Sequence, residues 1–477
     1  MQESGRQGRR VYVCELAFVD RSLVNAGQYF LAVTGGVQLT RARRVLFIFT
    51  VLSGAFAGVP AYGEEFSAAI QQMLEAHPQL RAAELAVETA RENVRGARSV
   101  YLPSLGLNSD YGHEWIDSPD RRLSPGESSS LPRSKATLTV TQNLFSGGRN
   151  PGNVSIAGTN LKLSEIALEF TRQSLIFEAY EAYTAVLRDR WLVHLARLSQ
   201  EIIAKQLNLE DERVDRGAGF AVDVLLAKTR LQLAKERRVN FEGQLRQSLS
   251  RYHEVFSRPP DSENLDTVEI PPSAIPATLQ EVREMVVDRN LSLLGAAQEI
   301  DIAKSREIVA DADFLPAVKL EGGLNFENNV NATRGERRDA YMLVRLTWEL
   351  FSGFRAQAAS AAAVHQKFAS ISKEADVRRT VVEDATRAWE ALQTARERTE
   401  LLHNASNIAL EVFVARQRLR EAGQDSALNV LDAETEVFNA RINQTSAEYD
   451  TRVARARLLL AMGQLAPESM ISVPTIR

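Results

Sequence analysis

The sequence predicts an α+β membrane protein in which a pair of strands and a set of long coiled-coil helices occur twice. Three observations predict it. The second half repeats the first, a heptad seam recurs in register in both halves, and each half carries two alternating segments of about ten residues.

The repeat is read from three matches. Leu102-Pro103 recurs as Leu315-Pro316, and Leu144-Phe145-Ser146-Gly147-Gly148-Arg149 recurs as Leu350-Phe351-Ser352-Gly353-Phe354-Arg355. Val224-Leu225-Leu226-Ala227 recurs as Val430-Leu431-Asp432-Ala433, and these last two matches share one offset of 206 residues. Two copies of that length indicate a duplicated architecture and not a short solenoid unit.

Residues 1–63 are expected to be a leader, with a secretory signal peptide at 41–63. Arg41, Arg43 and Arg44 precede an apolar run from Val45 to Val59, and Ala61-Tyr62-Gly63 supplies small residues before a cut ahead of Glu64. The run is shorter than the roughly 20 residues of a spanning helix, and Ser53 and Gly54 interrupt it. Cleavage would take seven basic and three acidic residues with it, moving the net charge from −4 to about −8. Cys14, the one cysteine, would leave with the leader, so neither a disulfide nor a lipid-bearing thiol is expected beyond it. No later segment reads as a transmembrane helix, so membrane insertion has to use strands.

The first repeat, 64–257, is expected to run helix, two barrel strands at 100–116 and 136–148, and a long helix hairpin at 150–257. A linker at 258–276 leads to the second repeat, 277–464, with a helix, barrel strands at 314–328 and 338–352, and a hairpin at 355–464; a tail at 465–477 closes the chain. In the strands, Leu138 and Val140 alternate with Thr137, Thr139 and Thr141, and Met342, Val344, Leu346 and Trp348 alternate with Leu343, Arg345, Thr347 and Glu349. Ten such residues match a tilted transmembrane strand, with Met342, Val344, Leu346 and Trp348 expected to face lipid. Polar loops at 117–135 and 327–339 join each pair. Four strands can neither close nor hide their edges, so several chains are expected to share one barrel.

Each strand pair ends in glycine. Gly147, Gly148 and Gly353 fall where strand turns into helix, a place that favours positive φ, and Phe354 in place of a second glycine predicts a different turn in the later copy. The helices that follow carry the seam Val381, Ala385, Ala388, Leu392, Ala395, interrupted by Thr399 and Ser406, and 206 residues earlier Leu175, Ala179, Ala182 and Val186, interrupted by Asp189 and Gln200. A seam held in register twice indicates long coiled coils, about 100 Å if 150–215 is one helix. Proline is absent from Leu161 to Phe256 and from Ala317 to Ala466, which permits such lengths. The hairpin tips are Arg216-Gly217-Ala218-Gly219 and Arg420-Glu421-Ala422-Gly423, with Gly219 or Gly423 expected to end a helix.

Catalytic chemistry is absent from this pattern. The six histidines are scattered without metal-ligand spacing, no phosphate-binding loop occurs, and Gly217-Ala218-Gly219 lacks the strand context of a dinucleotide fingerprint. No cofactor, metal or nucleic-acid partner is expected, and the chain reads as a passive conduit and not as an enzyme.

With these marks in order, the chain resembles the TolC outer-membrane channel family over nearly all of its length beyond the leader. The resemblance implies a homotrimer whose protomers each give four strands to a twelve-stranded outer-membrane β-barrel, continued by a periplasmic α-helical barrel. It implies docking to a periplasmic adaptor and an inner-membrane transporter, either ABC or proton-driven, to export proteins or small molecules, with type I secretion favoured over drug efflux. It also implies that the hairpin tips close the tunnel, with Asn429 and Asp432 at positions where relatives carry a ring of carboxylates and with Asp425 and Asp223 nearby. Three copies of Asp432 would make an anionic constriction. The competing reading is a periplasmic coiled-coil adaptor, which would carry one hairpin and no duplicated strand pair.

Overall fold

A computed structural model describes residues 66–123, 130–260 and 265–473. The expected leader and signal peptide lie outside the described residues. From Phe66 the chain runs α1 (Phe66–Ala76), α2 (Pro78–Arg98), β1 (Ser104–Trp115), a short α3 (Pro119–Arg122), β2 (Ser130–Phe145), α4 (Arg149–Asp215) and α5 (Ala221–Phe256). It continues as β3 (Thr267–Glu269), α6 (Leu279–Arg289), α7 (Leu291–Asp311), β4 (Ala317–Asn328), β5 (Glu336–Thr347), α8 (Arg355–Glu421), α9 (Ala427–Ala461) and β6 (Ile471–Val473).

The duplication is carried element by element. Helices α4 and α8 each hold 67 residues, about 100 Å at 1.5 Å per residue, and start 206 residues apart. Helices α2 and α7 each hold 21 residues but start 213 apart. The seven-residue difference falls in the strand pairs, where the first hairpin has the longer second strand and the longer connection. The strand bounds differ from expectation at their ends. Residues 99–101 and 312–314 are single 3-10 turns that close α2 and α7, because Leu102 and Leu315 precede prolines that exclude helical backbone. Strand β2 starts six residues early, at Ser130, because its partner β1 runs on to Trp115 and pairs with it.

Strands β1, β2, β4 and β5 form one antiparallel sheet in that order, so the two copies meet at β2 and β4. The expected linker and tail are not mere connections. Thr267–Glu269 from the linker pairs antiparallel with Ile471–Val473 from the tail, a contact across some 200 residues that neither segment announces on its own. Beside this small sheet lies the thickest core, where Phe66, Tyr180, Tyr183, Tyr252, Phe256, Ile270, Leu458 and Met462 are all buried. Phe66 meets Tyr183 edge-on at 4.8 Å, and the Tyr183 hydroxyl donates to the Asp266 carbonyl at 2.9 Å.

The heptad seam is buried as its spacing requires, and two of its polar interruptions, Asp189 and Thr399, find partners inside it, whereas the Gln200 Oε1 has none among the described residues. Asp189 is 2 % exposed and is held by the Arg188 guanidinium at 2.8 Å and by the Ser248 hydroxyl. Thr399 bonds the Ala447 carbonyl at 3.0 Å and the Thr451 hydroxyl at 2.9 Å, which ties α8 to α9. Buried polar groups that find partners cost little and pin one register.

Candidate functional site

The large sheet has two chemically different faces. Reading across the strands, Leu107, Leu138, Leu324 and Ala340 share one row, and Leu105, Val140, Gly322 and Met342 share the next on the same side. Val344 lies opposite Leu320, and Leu346 opposite Val318, which extends that apolar side. Met342, Val344, Leu346 and Trp348 are all more than half exposed, although they belong to the apolar side, so this face has no cover within the chain. The opposite face carries Thr137, Thr139, Thr141, Lys319, Glu321, Asn325, Asp339 and Arg345. Two ion pairs cross strands there, Arg345 with Glu321 at 2.8 Å and Lys135 with Glu327 at 2.8 Å. Both edge strands, β1 and β5, have one partner each among the described residues.

The strand-to-helix turns are the same in both copies, against the expectation for Phe354. Gly147 and Gly353 take φ of +65° and +62°, and Gly148 and Phe354 take +99° and +65°. Phe354 tolerates the left-handed region because its ring projects outward, 67 % exposed, against the edge of Phe351 at 5.5 Å. The first turn is the tighter one. A Cβ at Gly147 would lie 2.8 Å from the Ala312 carbonyl oxygen and 2.9 Å from the Leu315 Cβ, whereas one at Gly353 meets nothing. Gly147→Ala should therefore cost about 2 kcal/mol and Gly353→Ala only about 1 kcal/mol. Thermal or chemical unfolding of the two variants side by side checks the order, and equal losses would mean that the clash at Gly147 relaxes.

The hairpin tips end by one motif used twice, and it reassigns the capping glycine. Gly217 and Gly423, 206 residues apart, both take φ of +73°. In each case the glycine amide bonds three residues back (Gly217 to Val214, Gly423 to Arg420), and the next amide bonds five back (Ala218 to Arg213, Gln424 to Leu419). This double bond closes the helix ends. Gly219 does not end the helix; it lets the returning chain pass close to Val214, 3.1 Å from that amide nitrogen to a would-be Cβ. Its counterpart 206 residues on is Asp425. That carboxylate accepts from the Asn429 amide, the Ser426 backbone N–H and Arg416, and these bonds, Asn429 first, hold its pKa below the usual carboxylate range. Asp425 and Asn429 thus build the turn into α9, where Ser426 is the N-cap. Asp223 lies in the first turn of α5, where a carboxylate suits the helix N-terminus.

Asp432 does not stand alone. Its Oδ1 accepts from the Arg230 guanidinium of α5 at 2.6 Å, so each copy brings a compensating cation to the expected constriction. Two further groups at this end escape a motif search. Glu210, 2 % exposed near the end of α4, takes both its oxygens to Arg420 of α8 at 2.8 and 2.7 Å, with Arg213 adding a bond at 3.1 Å. Glu434 of α9 is 5 % exposed, a buried carboxylate. Complementary runs, Glu210-Asp211-Glu212 against Arg416, Arg418 and Arg420, are the sequence signal for the first pair.

Among the described residues no group of three or more His, Cys, Asp or Glu side chains could hold a metal ion, and no helix is long and apolar enough to cross a membrane.

Comparison with known proteins agrees with this geometry. A family profile described as outer membrane efflux protein matches residues 69–251 and 282–464, one match per repeat. The outer membrane protein TolC of Vibrio cholerae is 25 % identical over 90 % of this chain and 97 % of its own length. The alkaline protease secretion protein AprF of Pseudomonas aeruginosa is 24 % identical over 82 % of this chain and 83 % of its own. Among solved structures, the Campylobacter jejuni CmeC outer membrane channel superposes with a TM-score of 0.74 at 16 % identity, covering 85 % of this chain and 87 % of that one, a likeness of fold.

Proposed function

Because this chain belongs to the outer membrane efflux protein family, non-enzymatic channels of the outer membrane, we propose that it is a homotrimeric channel-tunnel serving type I secretion. The observation that carries the reading is the two-faced, four-stranded sheet with both edges open, continuous with two helices about 100 Å long. An antiparallel sheet with one apolar and one charged face, closed by symmetry, gives a barrel with lipid outside and water inside. Three copies supply twelve strands and leave no edge.

The helices support the same closure. Leu225, Leu233 and Val239 are exposed on α5, as are Leu401, Ile408, Val412 and Leu419 on α8. Helices α4 and α9 pack together between them, so α5 and α8 are the flanks left for neighbouring protomers. Coiled-coil seams of this kind bury against a partner chain. The adaptor alternative fails on the duplicated strand pair and on the family.

Type I secretion is favoured over drug efflux because no cysteine follows the apolar run at 45–59 to carry a lipid, as the lipid-anchored efflux branch has. A periplasmic adaptor and an inner-membrane transporter are the partners, and the tips of the hairpins are the end that meets them. Detergent-solubilised protein should scatter light as a trimer, and affinity capture from native membranes should bring an ABC-type transporter with it. A monomer or dimer would end the shared-barrel reading; capture of a proton-driven pump instead would reassign the channel to drug efflux.

A further inference from the structure

Glu434 lies on α9 two turns above the Gly423 tip and faces α4, at the seam between the two hairpins of one protomer. Its Oε1 accepts from the Ser199 hydroxyl at 2.7 Å, and its Oε2 has no hydrogen-bond partner among the described residues. The charged groups acting on it are Arg237 and Arg230, both on α5. Neither makes a hydrogen bond to it: Arg230 is engaged by Asp432, and Arg237 lies over the Phe438 ring at 5.1 Å. Residue 228, its counterpart 206 positions earlier, is an exposed lysine, so the duplication does not explain an acid here.

A buried carboxylate with one oxygen unmet is costly as an anion and comfortable as a neutral acid, which can keep the Ser199 contact without a charge to solvate. We propose that Glu434 is a proton-controlled tie between the hairpins: protonated, it lets α4 and α9 stay packed at the tip, and ionised, it drives them apart toward water. This rests on the reading of the tips as the tunnel's closing end. Burial, partly opposed by the Ser199 bond and the two arginines, pushes its pKa above the ordinary glutamate value of 4.5. For a group raised in the packed state, the stabilisation is complete below the ordinary value and is lost as pH rises through the raised one. Acid therefore favours packed tips and alkali favours splayed ones.

Spin labels at Ala218→Cys and Ala422→Cys report the separation of the two tips by electron–electron resonance from about pH 4 to about pH 8. The distance distribution should widen as pH rises in the otherwise unchanged trimer. With Glu434→Gln it should stay narrow throughout. With Ser199→Ala, which removes the one bond favouring the anion, the midpoint should move to higher pH. The same broadening in Glu434→Gln would overturn the proposal, and so would an unmoved midpoint in Ser199→Ala, a variant that keeps the acid. If the tips respond as stated while bilayer conductance does not, the tie stands and the gate reading is what fails.

Discussion

Glu210→Gln should loosen the hairpin tips more than any other single change at that end. The carboxylate is buried and both its oxygens accept from Arg420 Nη2, so its loss leaves a guanidinium in a desolvated site with only an amide and the Asp425 backbone carbonyl to face. Removing one member of a buried pair costs about 3 to 5 kcal/mol, most of it the penalty on the partner left behind, and Arg420, still about a fifth exposed, places this pair at about 3. The contact joins α4 to α8, the first hairpin to the second, and its loss should appear as a larger conductance in planar bilayers as well as a lower unfolding midpoint. The charge-swapped pair Glu210→Arg with Arg420→Glu should recover part of both. Closed-state conductance unchanged in Glu210→Gln, with the swap no better than either single change, would reduce the contact to local packing. The Asp432–Arg230 pair, half in water, should matter far less to stability.

Val344→Arg should impair barrel assembly by about 2 to 4 kcal/mol, the cost of a cation on the lipid face of a barrel, toward the lower figure if the residue lies away from the midplane. Val344 stands on the apolar side across from Leu320 and is 63 % exposed in the single chain, as the proposed lipid face requires. Thr347→Arg, three residues away on the opposite face, should be tolerated, since Arg345 already occupies that side and finds Glu321. Yield of heat-resistant trimer in outer-membrane extracts separates the two. Equal damage from both substitutions would mean a sheet buried on two sides.

Periodicity explains why so much was legible. A strand with side-chain period two and a seam with period three and a half each print their burial on the chain, so the strand pairs, the face carried by Met342, Val344 and Leu346, and the seam from Val381 to Ala395 could be read before any contact was known. Local backbone chemistry was legible too, though coarsely. The turn glycines stood out, but whether Gly217 or Gly219 caps α4 depends on which amide reaches Arg213 and Val214, and a sequence lists both as equals. Phe354 shows the same limit from the other side: composition argued for a different turn, and the surrounding fold imposes the same one.

By itself the sequence determined the duplication, the order of elements, the two-faced strands and the absence of catalytic motifs, because each is a local or periodic property of the chain. Only the tertiary structure decided the pairings that join distant segments. Thr267–Glu269 meets Ile471–Val473, Glu210 meets Arg420, Asp432 meets Arg230, and Glu434 sinks against Ser199. The physical reason is that a charge on a helix reads alike whether it faces water or a neighbouring helix. Its fate is set by the rotation of two long helices against each other, which brings residues some 200 positions apart within hydrogen-bond reach and excludes the water that would otherwise have solvated them.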